Sequence, residues 1–164
     1  MAGTGNHISI QGIEELVKNL NKQISEMKGK TFKGLIECAI ELRRDMDKNT
    51  PKTPVDERNL DHSWFATTVK SNTGAGSSFK GDDAGQMASE HSKTIEEAKA
   101  AAKAVKEPTL IMGYSANYAV FVHEMIQGTI KWKRPGSGAK WFEIALADGS
   151  NKFLTILRDN LDIQ

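Results

Sequence analysis

Ser63-Trp-Phe-Ala-Thr-Thr-Val69 combines aromatic and β-branched residues, a composition typical of a β-strand. Pro108-Thr-Leu-Ile-Met-Gly-Tyr114 has the same character. The two stretches are separated by a long polar segment, so we predict that they pair as antiparallel strands across it. They predict the sheet of the protein, and the rest of the chain is interpreted around them.

The flanking segments have the periodicity of helices. Apolar residues recur at steps of three and four from Ser9 to Met27, with Ser9 as a candidate cap. Lys28-Gly29-Lys30 interrupts this pattern, and a second helix is predicted from Thr31 until Asn49-Thr50-Pro51. Towards the C-terminus, Asn117 is predicted to cap a short helix, and a helical region from Lys140 to Leu161 bends near Asp148-Gly149-Ser150.

Helices before, between and after the two strands predict an α+β fold. It has two N-terminal helices, a small antiparallel sheet with a long excursion between its strands, and C-terminal helices. The Gly, Ser and Asp content of the excursion at 71–92 indicates a flexible loop. Thr94-Ile-Glu-Glu97 has the spacing of a capping box, so a helix is predicted from there to Lys106. The 164 residues fit one domain, 1–164.

Composition restricts the function classes. The net charge is +1, from 22 Lys and Arg against 21 Asp and Glu, which disfavours a protein whose main role is to coat nucleic acid. One cysteine, Cys38, excludes an intramolecular disulfide and suits a reducing cytosol. Met1 to Ile10 does not resemble a signal peptide, and no run approaches the roughly 20 apolar residues of a membrane span. We therefore expect no membrane partner.

The sequence does not predict catalytic chemistry. His123-Glu124 begins like the zinc motif H-E-x-x-H, but Gln127 occupies the place of the second histidine. The glycines from Gly76 to Gly81 are followed by Asp82-Asp83, which would repel a phosphate. Cys38 lies in an apolar helical context and is interpreted as a packing residue. We predict no catalytic residue, no metal site and no cofactor, and therefore no enzyme.

The basic loop at 131–140, Lys131-Trp-Lys-Arg-Pro-Gly-Ser-Gly-Ala-Lys140, allows three interpretations. Its cations and Trp132 could bind a base and phosphates, as a small nucleic-acid-binding module would. They could form a subunit interface, in which Trp and Arg are common anchors. The tryptophan could also fold back onto the core. The anchor preference favours the interface, with Lys131, Trp132, Lys133 and Arg134 as its candidate residues.

Three segments resemble one protein family. Pro54-Val-Asp-Glu-Arg-Asn-Leu-Asp-His-Ser-Trp64 is similar to the proline-valine-aspartate-threonine-glycine-x-leucine-x-x-serine signature of the neck or tail-completion proteins of long-tailed bacteriophages. Asn117-Tyr-Ala-Val-Phe-Val-His-Glu124, followed by Gly128-Thr129, resembles the same family's tyrosine-alanine-x-tyrosine-valine-glutamate, glycine-threonine segment. Lys140-Trp-Phe-Glu-Ile-Ala-Leu146 resembles its closing phenylalanine-x-x-x-alanine-leucine helix.

The resemblance covers most of the chain and is weakest from Ser71 to Glu107. Glu57-Arg58 replaces the usual Thr-Gly, so this turn cannot use the freedom of glycine at positive φ. The residues that carry the motifs are interpreted as determinants of the fold. They are Pro54, Asp56, Leu60, Ser63, Tyr118, Ala119, Glu124 and Gly128. Asp56 is expected to accept backbone N–H bonds, Leu60 to anchor the turn, and Tyr118 and Phe121 to pack a short helix against the sheet.

Such a resemblance implies a minor capsid or head–tail joining protein without enzymatic activity. Copies of the chain would form a ring in the virion neck, after assembly in the host cytoplasm. The implied partners are other copies, the phage connector, and tail-tube or tail-terminator proteins, with DNA in the channel. The alternative from another class is the nucleic-acid-binding module that uses the basic loop.

Overall fold

The computed structural model of the chain describes residues 13–56, 58–73, 78–125 and 131–162. These residues form six helices and one three-stranded antiparallel sheet, which confirms the α+β prediction. In chain order the elements are α1 (Ile13–Lys48), α2 (Asn59–His62), β1 (Trp64–Thr67), β2 (Asn72–Thr73), α3 (Ala84–Ala104), β3 (Ile111–Tyr114), α4 (Ala119–Glu124), α5 (Trp141–Asp148) and α6 (Ser150–Leu161).

The sheet has the strand order β2-β1-β3, with both pairings antiparallel. In the β1–β3 pairing, Trp64 lies opposite Tyr114 and Thr67 lies opposite Ile111, so the predicted pairing across the excursion is confirmed. All four β1 residues are buried, and the side chains alternate between two sides. Trp64 and Ala66 belong to a core cluster with α1, while Phe65 packs with residues of α3.

The prediction of two N-terminal helices is wrong, because α1 runs through Lys28-Gly29-Lys30 as one helix of 36 residues. A single glycine inside a helix costs only about 1 kcal/mol relative to alanine, and its lysine neighbours are good helix formers. Thr31, predicted to begin the second helix, donates its hydroxyl hydrogen to the carbonyl of Met27 at 2.9 Å. Ser9, the candidate cap, lies outside the described residues.

The excursion also differs from its prediction. Residues 84–92 are helical, because α3 begins at Ala84 rather than at Thr94. Thr94 bonds the carbonyl of Glu90 within the helix at 2.8 Å instead of capping it. The buried positions His91, Ile95, Ala98 and Ala102 follow a helical period, and this face packs on the sheet despite the scarcity of large apolar residues. Residues 74–77 lie outside the described residues.

The C-terminal half follows its prediction more closely. α5 and α6 meet at Gly149, where the bend was expected. Helix α4 is preceded directly by Tyr118, whose side chain makes no capping hydrogen bond, so Asn117 is not the cap. The main core is formed where α1 packs on α5, α6 and β1, with Leu42, Met46 and Trp141 almost fully buried. None of the described helices is long and apolar enough to cross a membrane.

Candidate interface groove

An open groove of about 390 Å³ lies where the loop after α1, helix α4 and the basic loop meet. Its lining combines apolar and aromatic side chains with polar and charged groups at the margin. The residues are Pro54, Val55, Asp56, Asn59, Leu60, Tyr118, Val122, Lys131, Trp132 and Lys133. The groove therefore joins two of the three family-like segments to the candidate interface residues, although they are far apart in the sequence.

Residues 54–56 and 58–63 include one wall of the groove, and burial and hydrogen bonds within this segment hold it in place. Leu60 and Ser63 are buried, and the Ser63 hydroxyl donates to the carbonyl of Leu60 at 2.7 Å. The expected anchoring by Leu60 is thus present. The Asp56 carboxylate was expected to accept backbone N–H bonds. Among the described residues, its contact is with the ammonium of Lys133. Arg58 lies at φ 69°, so the turn keeps a positive φ although a bulky residue replaces glycine.

Asn59 ties this wall to the segment before α3, a role that the sequence did not indicate. Its side-chain oxygen accepts a hydrogen bond from the Lys80 amide at 2.8 Å, and its amide nitrogen donates to the Lys80 carbonyl at 2.9 Å. The two residues are 21 positions apart. Because no local pattern signals such a contact, only the folded chain reveals it.

Helix α4 forms the second wall. Ala119 is buried and Val122 packs partly against the main core, while Tyr118 faces the groove. Phe121 was expected to pack against the sheet, but its side chain is 68% exposed. Its neighbour Val120 is 73% exposed. A helix of only six residues buries one face, and Ala119 and Val122 already occupy it. Gly128, the last residue of this motif set, lies outside the described residues.

The basic loop is tied to the body by its own cations. Arg134 donates to the Asp47 carboxylate at 3.1 Å, to the Asp47 carbonyl at 2.6 Å and to the Thr53 carbonyl at 3.4 Å. Lys133 contacts Asp56. Arg134 thus holds the loop on the end of α1, and its guanidinium is already engaged within the chain. Its predicted role as an anchor for a partner does not fit this geometry.

Two residues of the loop remain available to a partner. Lys131 is exposed and has no ion pair with any other described residue. Trp132 is half-buried and lines the groove. The ring is therefore held against the body while part of it still faces solvent, which is the exposure expected of an aromatic anchor.

Glu124, at the end of α4, does not line the groove and belongs to a small charged cluster. Its carboxylate contacts the Lys140 ammonium at 2.6 Å and the His123 imidazole Nδ1 at 2.8 Å. The hydrogen bond from Lys140, and then that from His123, lower the pKa of Glu124 below its ordinary value. The same contact raises the pKa of Lys140. His123 also packs its ring on Trp141, with 4.8 Å between ring centroids, so the cluster connects α4 to α5.

The described residues contain no group of three His, Cys, Asp or Glu side chains that could hold a metal ion. Gln127, which stands at the second histidine position of the zinc-like motif, lies outside the described residues. Cys38 is buried in α1, and its thiol lies 3.5 Å from the Phe153 carbonyl. Burial raises the pKa of this thiol, which favours the unreactive protonated form.

Comparisons with family models, with curated proteins and with solved structures found no match to this chain.

Proposed function

We propose that this chain is a non-enzymatic structural subunit of the neck of a long-tailed phage. Copies of it form a ring that completes the tail or joins head to tail around the DNA channel. Its partners are other copies of the chain, the connector, and a tail-tube or tail-terminator protein. It assembles in the host cytoplasm and remains in the virion neck. The order of the three family-like segments along the chain supports this assignment.

The observation that carries the proposal is the convergence of two of those segments on one groove. The Pro54–Leu60 wall, Tyr118 and Val122 come together with Trp132 around an apolar floor. Lys131 and Lys133 are exposed members of its lining, and the exposed Phe121 lies next to Val122 on α4. An aromatic side chain in an apolar patch with a charged margin is the usual anatomy of a protein–protein interface.

The nucleic-acid-binding alternative is weakened by the ion pairs of the basic loop. A phosphate-binding loop gains affinity from cations that release counterions when they meet the backbone. Here Arg134 is engaged with Asp47, and Lys133 contacts Asp56. A phosphate would have to compete with both carboxylates. Lys131 is the remaining cation of the three, and one cation supports little affinity for DNA.

The test compares an aromatic variant with a cation variant in virion assembly. Trp132→Ala should weaken ring or neck formation by about 2 kcal/mol or more, roughly a 30-fold loss of affinity. The double variant Lys131→Ala with Lys133→Ala should have a smaller effect, because rim charges act chiefly on association rate and salt dependence. Leu154→Ala is the matched control, since Leu154 is an exposed apolar residue on α6 outside the groove.

Each variant is assayed for particle assembly by electron microscopy and for DNA binding at two salt concentrations. The interface proposal predicts defective necks for Trp132→Ala and normal necks for Leu154→Ala. Normal particles from Trp132→Ala, together with salt-sensitive DNA binding that the lysine variant loses, would refute it in favour of the nucleic-acid module. Circular dichroism of the isolated variants confirms that the fold is retained.

A further inference from the structure

The N-terminal half of α1 extends beyond the body of the protein and carries an apolar stripe. Val17, Leu20, Ile24 and Met27 are 48% to 54% exposed, and the surrounding residues from Val17 to Lys28 are exposed as well. Steps of three, four and three residues place the four side chains on one helix face. Most of the stability of such a helix comes from packing of its apolar face, and no other described part of the chain buries this stripe.

Further along α1, the same face is covered by α6. Continuing the steps of three and four from Met27 leads through Thr31 to four positions that contact α6, namely Gly34, Cys38, Glu41 and Asp45. Asp45 pairs with Lys152 near the start of α6, and Lys30 pairs with Asp162 just after its end. Helix α6 therefore runs antiparallel to α1 and ends where the exposed stripe begins.

This geometry restricts the direction of a helix that could cover the stripe. A helix antiparallel to α1 would continue the course of α6 along the same face without entering its space. A second copy aligned parallel to α1 would carry its own α6 into the seam already filled by the first α6. The intramolecular α1–α6 packing thus favours an antiparallel partner helix.

The stripe itself is suited to a second copy of this chain. The four side chains are separated by three, four and three residues, a spacing that is the same in both chain directions. An antiparallel copy therefore places Val17 opposite Met27 and Leu20 opposite Ile24. The layers are filled by apolar side chains from both helices, as in a coiled-coil seam. Lys22, at the level of the two-fold axis, lies on the opposite face of the helix from the stripe, and Asn21 and Gln23, which flank the stripe there, are uncharged. Two copies can therefore approach without like-charge repulsion.

We propose that two copies of the chain pair through the N-terminal halves of α1, packed antiparallel about a two-fold axis near Lys22. The contact is isologous, with the same four side chains contributed by each copy. This inference goes beyond the proposed neck function, since it concerns the association of the isolated protein. Dimer formation is measured on the isolated chain without phage particles, so failure of this proposal can be distinguished from failure of the neck proposal.

The first experiment measures association by sedimentation equilibrium over a wide range of concentration. The wild-type chain is expected to form a dimer. Leu20→Lys with Ile24→Lys should weaken that dimer at least about a hundredfold, because both copies carry charges into the apolar seam. Asn19→Lys with Ser25→Lys is the matched control, which adds the same charge at exposed positions off the stripe. A wild-type chain that stays monomeric, or equal weakening in both variants, overturns the proposal.

The second experiment tests the direction of pairing by disulfide formation. Val17→Cys and Met27→Cys are made separately, with one chain lengthened by a tag. Cys38 is buried, so the unsubstituted chain reports the background under the same oxidation. In an antiparallel pair, a Val17→Cys chain mixed with a Met27→Cys chain cross-links, because the two thiols lie opposite each other. Two chains of the same variant hold their thiols roughly 15 Å apart along the helix axis and do not cross-link. Cross-linking of each variant with itself indicates a parallel pair and overturns the proposal, as does the absence of cross-linking between Val17→Cys and Met27→Cys.

Discussion

Arg134→Ala tests whether the arginine of the basic loop is a structural clamp. Its guanidinium makes three polar contacts, at 3.1 Å and 2.6 Å to Asp47 and at 3.4 Å to Thr53. The Arg134 and Asp47 side chains are 28% and 38% exposed, so solvent screens part of the attraction. Hydrogen bonds to charged groups contribute about 1.5–3 kcal/mol when well shielded. We therefore expect the free energy of unfolding to fall by about 2 kcal/mol.

Lys133→Ala is the matched comparison within the same loop. The Lys133 and Asp56 side chains are 72% and 67% exposed, and an exposed ion pair contributes roughly 0–1 kcal/mol. For a domain of this size, 1 kcal/mol corresponds to a shift of roughly 2–4 °C in Tm. Arg134→Ala should therefore lower Tm by about 4–8 °C, and Lys133→Ala by at most about 2–4 °C.

The assay is thermal and urea unfolding followed by circular dichroism, with both variants measured under the same conditions. Equal losses for the two variants, or no loss for Arg134→Ala, would contradict the clamp. In that case Arg134 would be free for a partner, and the nucleic-acid interpretation of the basic loop would gain support. A loss confined to Arg134→Ala leaves Lys131 and Trp132 as the residues through which the loop acts.

Three further changes test the charged cluster between α4 and α5, the main core and the turn at Arg58. Lys140→Met should raise the pKa of Glu124 towards its ordinary value, because the ammonium that stabilises the carboxylate is removed; NMR titration measures it. The Glu124–Lys140 contact stabilises the fold above the unfolded pKa of Glu124 and is lost as pH falls through the lower folded pKa, so this pH dependence should be smaller in the variant. Leu42→Ala, at a fully buried position, should cost about 2–5 kcal/mol in urea unfolding. Arg58→Gly should stabilise by about 0.5–1 kcal/mol, because glycine relieves the positive φ at some cost in unfolded-chain entropy.

Each of these has a contrary outcome. A Glu124 pKa that is unchanged in Lys140→Met would show that the two side chains do not interact in solution. Loss of less than 1 kcal/mol in Leu42→Ala would mean that the α1 core is not packed as described. Destabilisation by Arg58→Gly would mean that the arginine side chain contributes more to the turn than its backbone conformation costs.

The elements that the sequence predicted correctly are those with a strong local signal. Strands β1 and β3 have aromatic and β-branched residues, and the bend between α5 and α6 has Asp148-Gly149-Ser150. The helix start at Ala84 was missed because small residues on α3 gave a weak apolar period. Motifs identified most of the residues that line the groove, but they did not predict that these residues lie together in the folded chain. That meeting depends on contacts such as Arg134 with Asp47, which are 87 residues apart.

The sequence by itself determined the α+β class and the two central strands, because backbone propensity and side-chain period act over a few neighbouring residues. It also determined that a tryptophan would lie among cations in the loop at 131–140. Only the tertiary structure decided that α1 continues through Gly29, that Arg134 and Lys133 are paired within the chain, and that the stripe from Val17 to Met27 is left uncovered. The ion pairs and the exposure of the stripe depend on which distant residues meet, which no local pattern reports. The continuation through Gly29 follows from the small cost of one glycine in a helix.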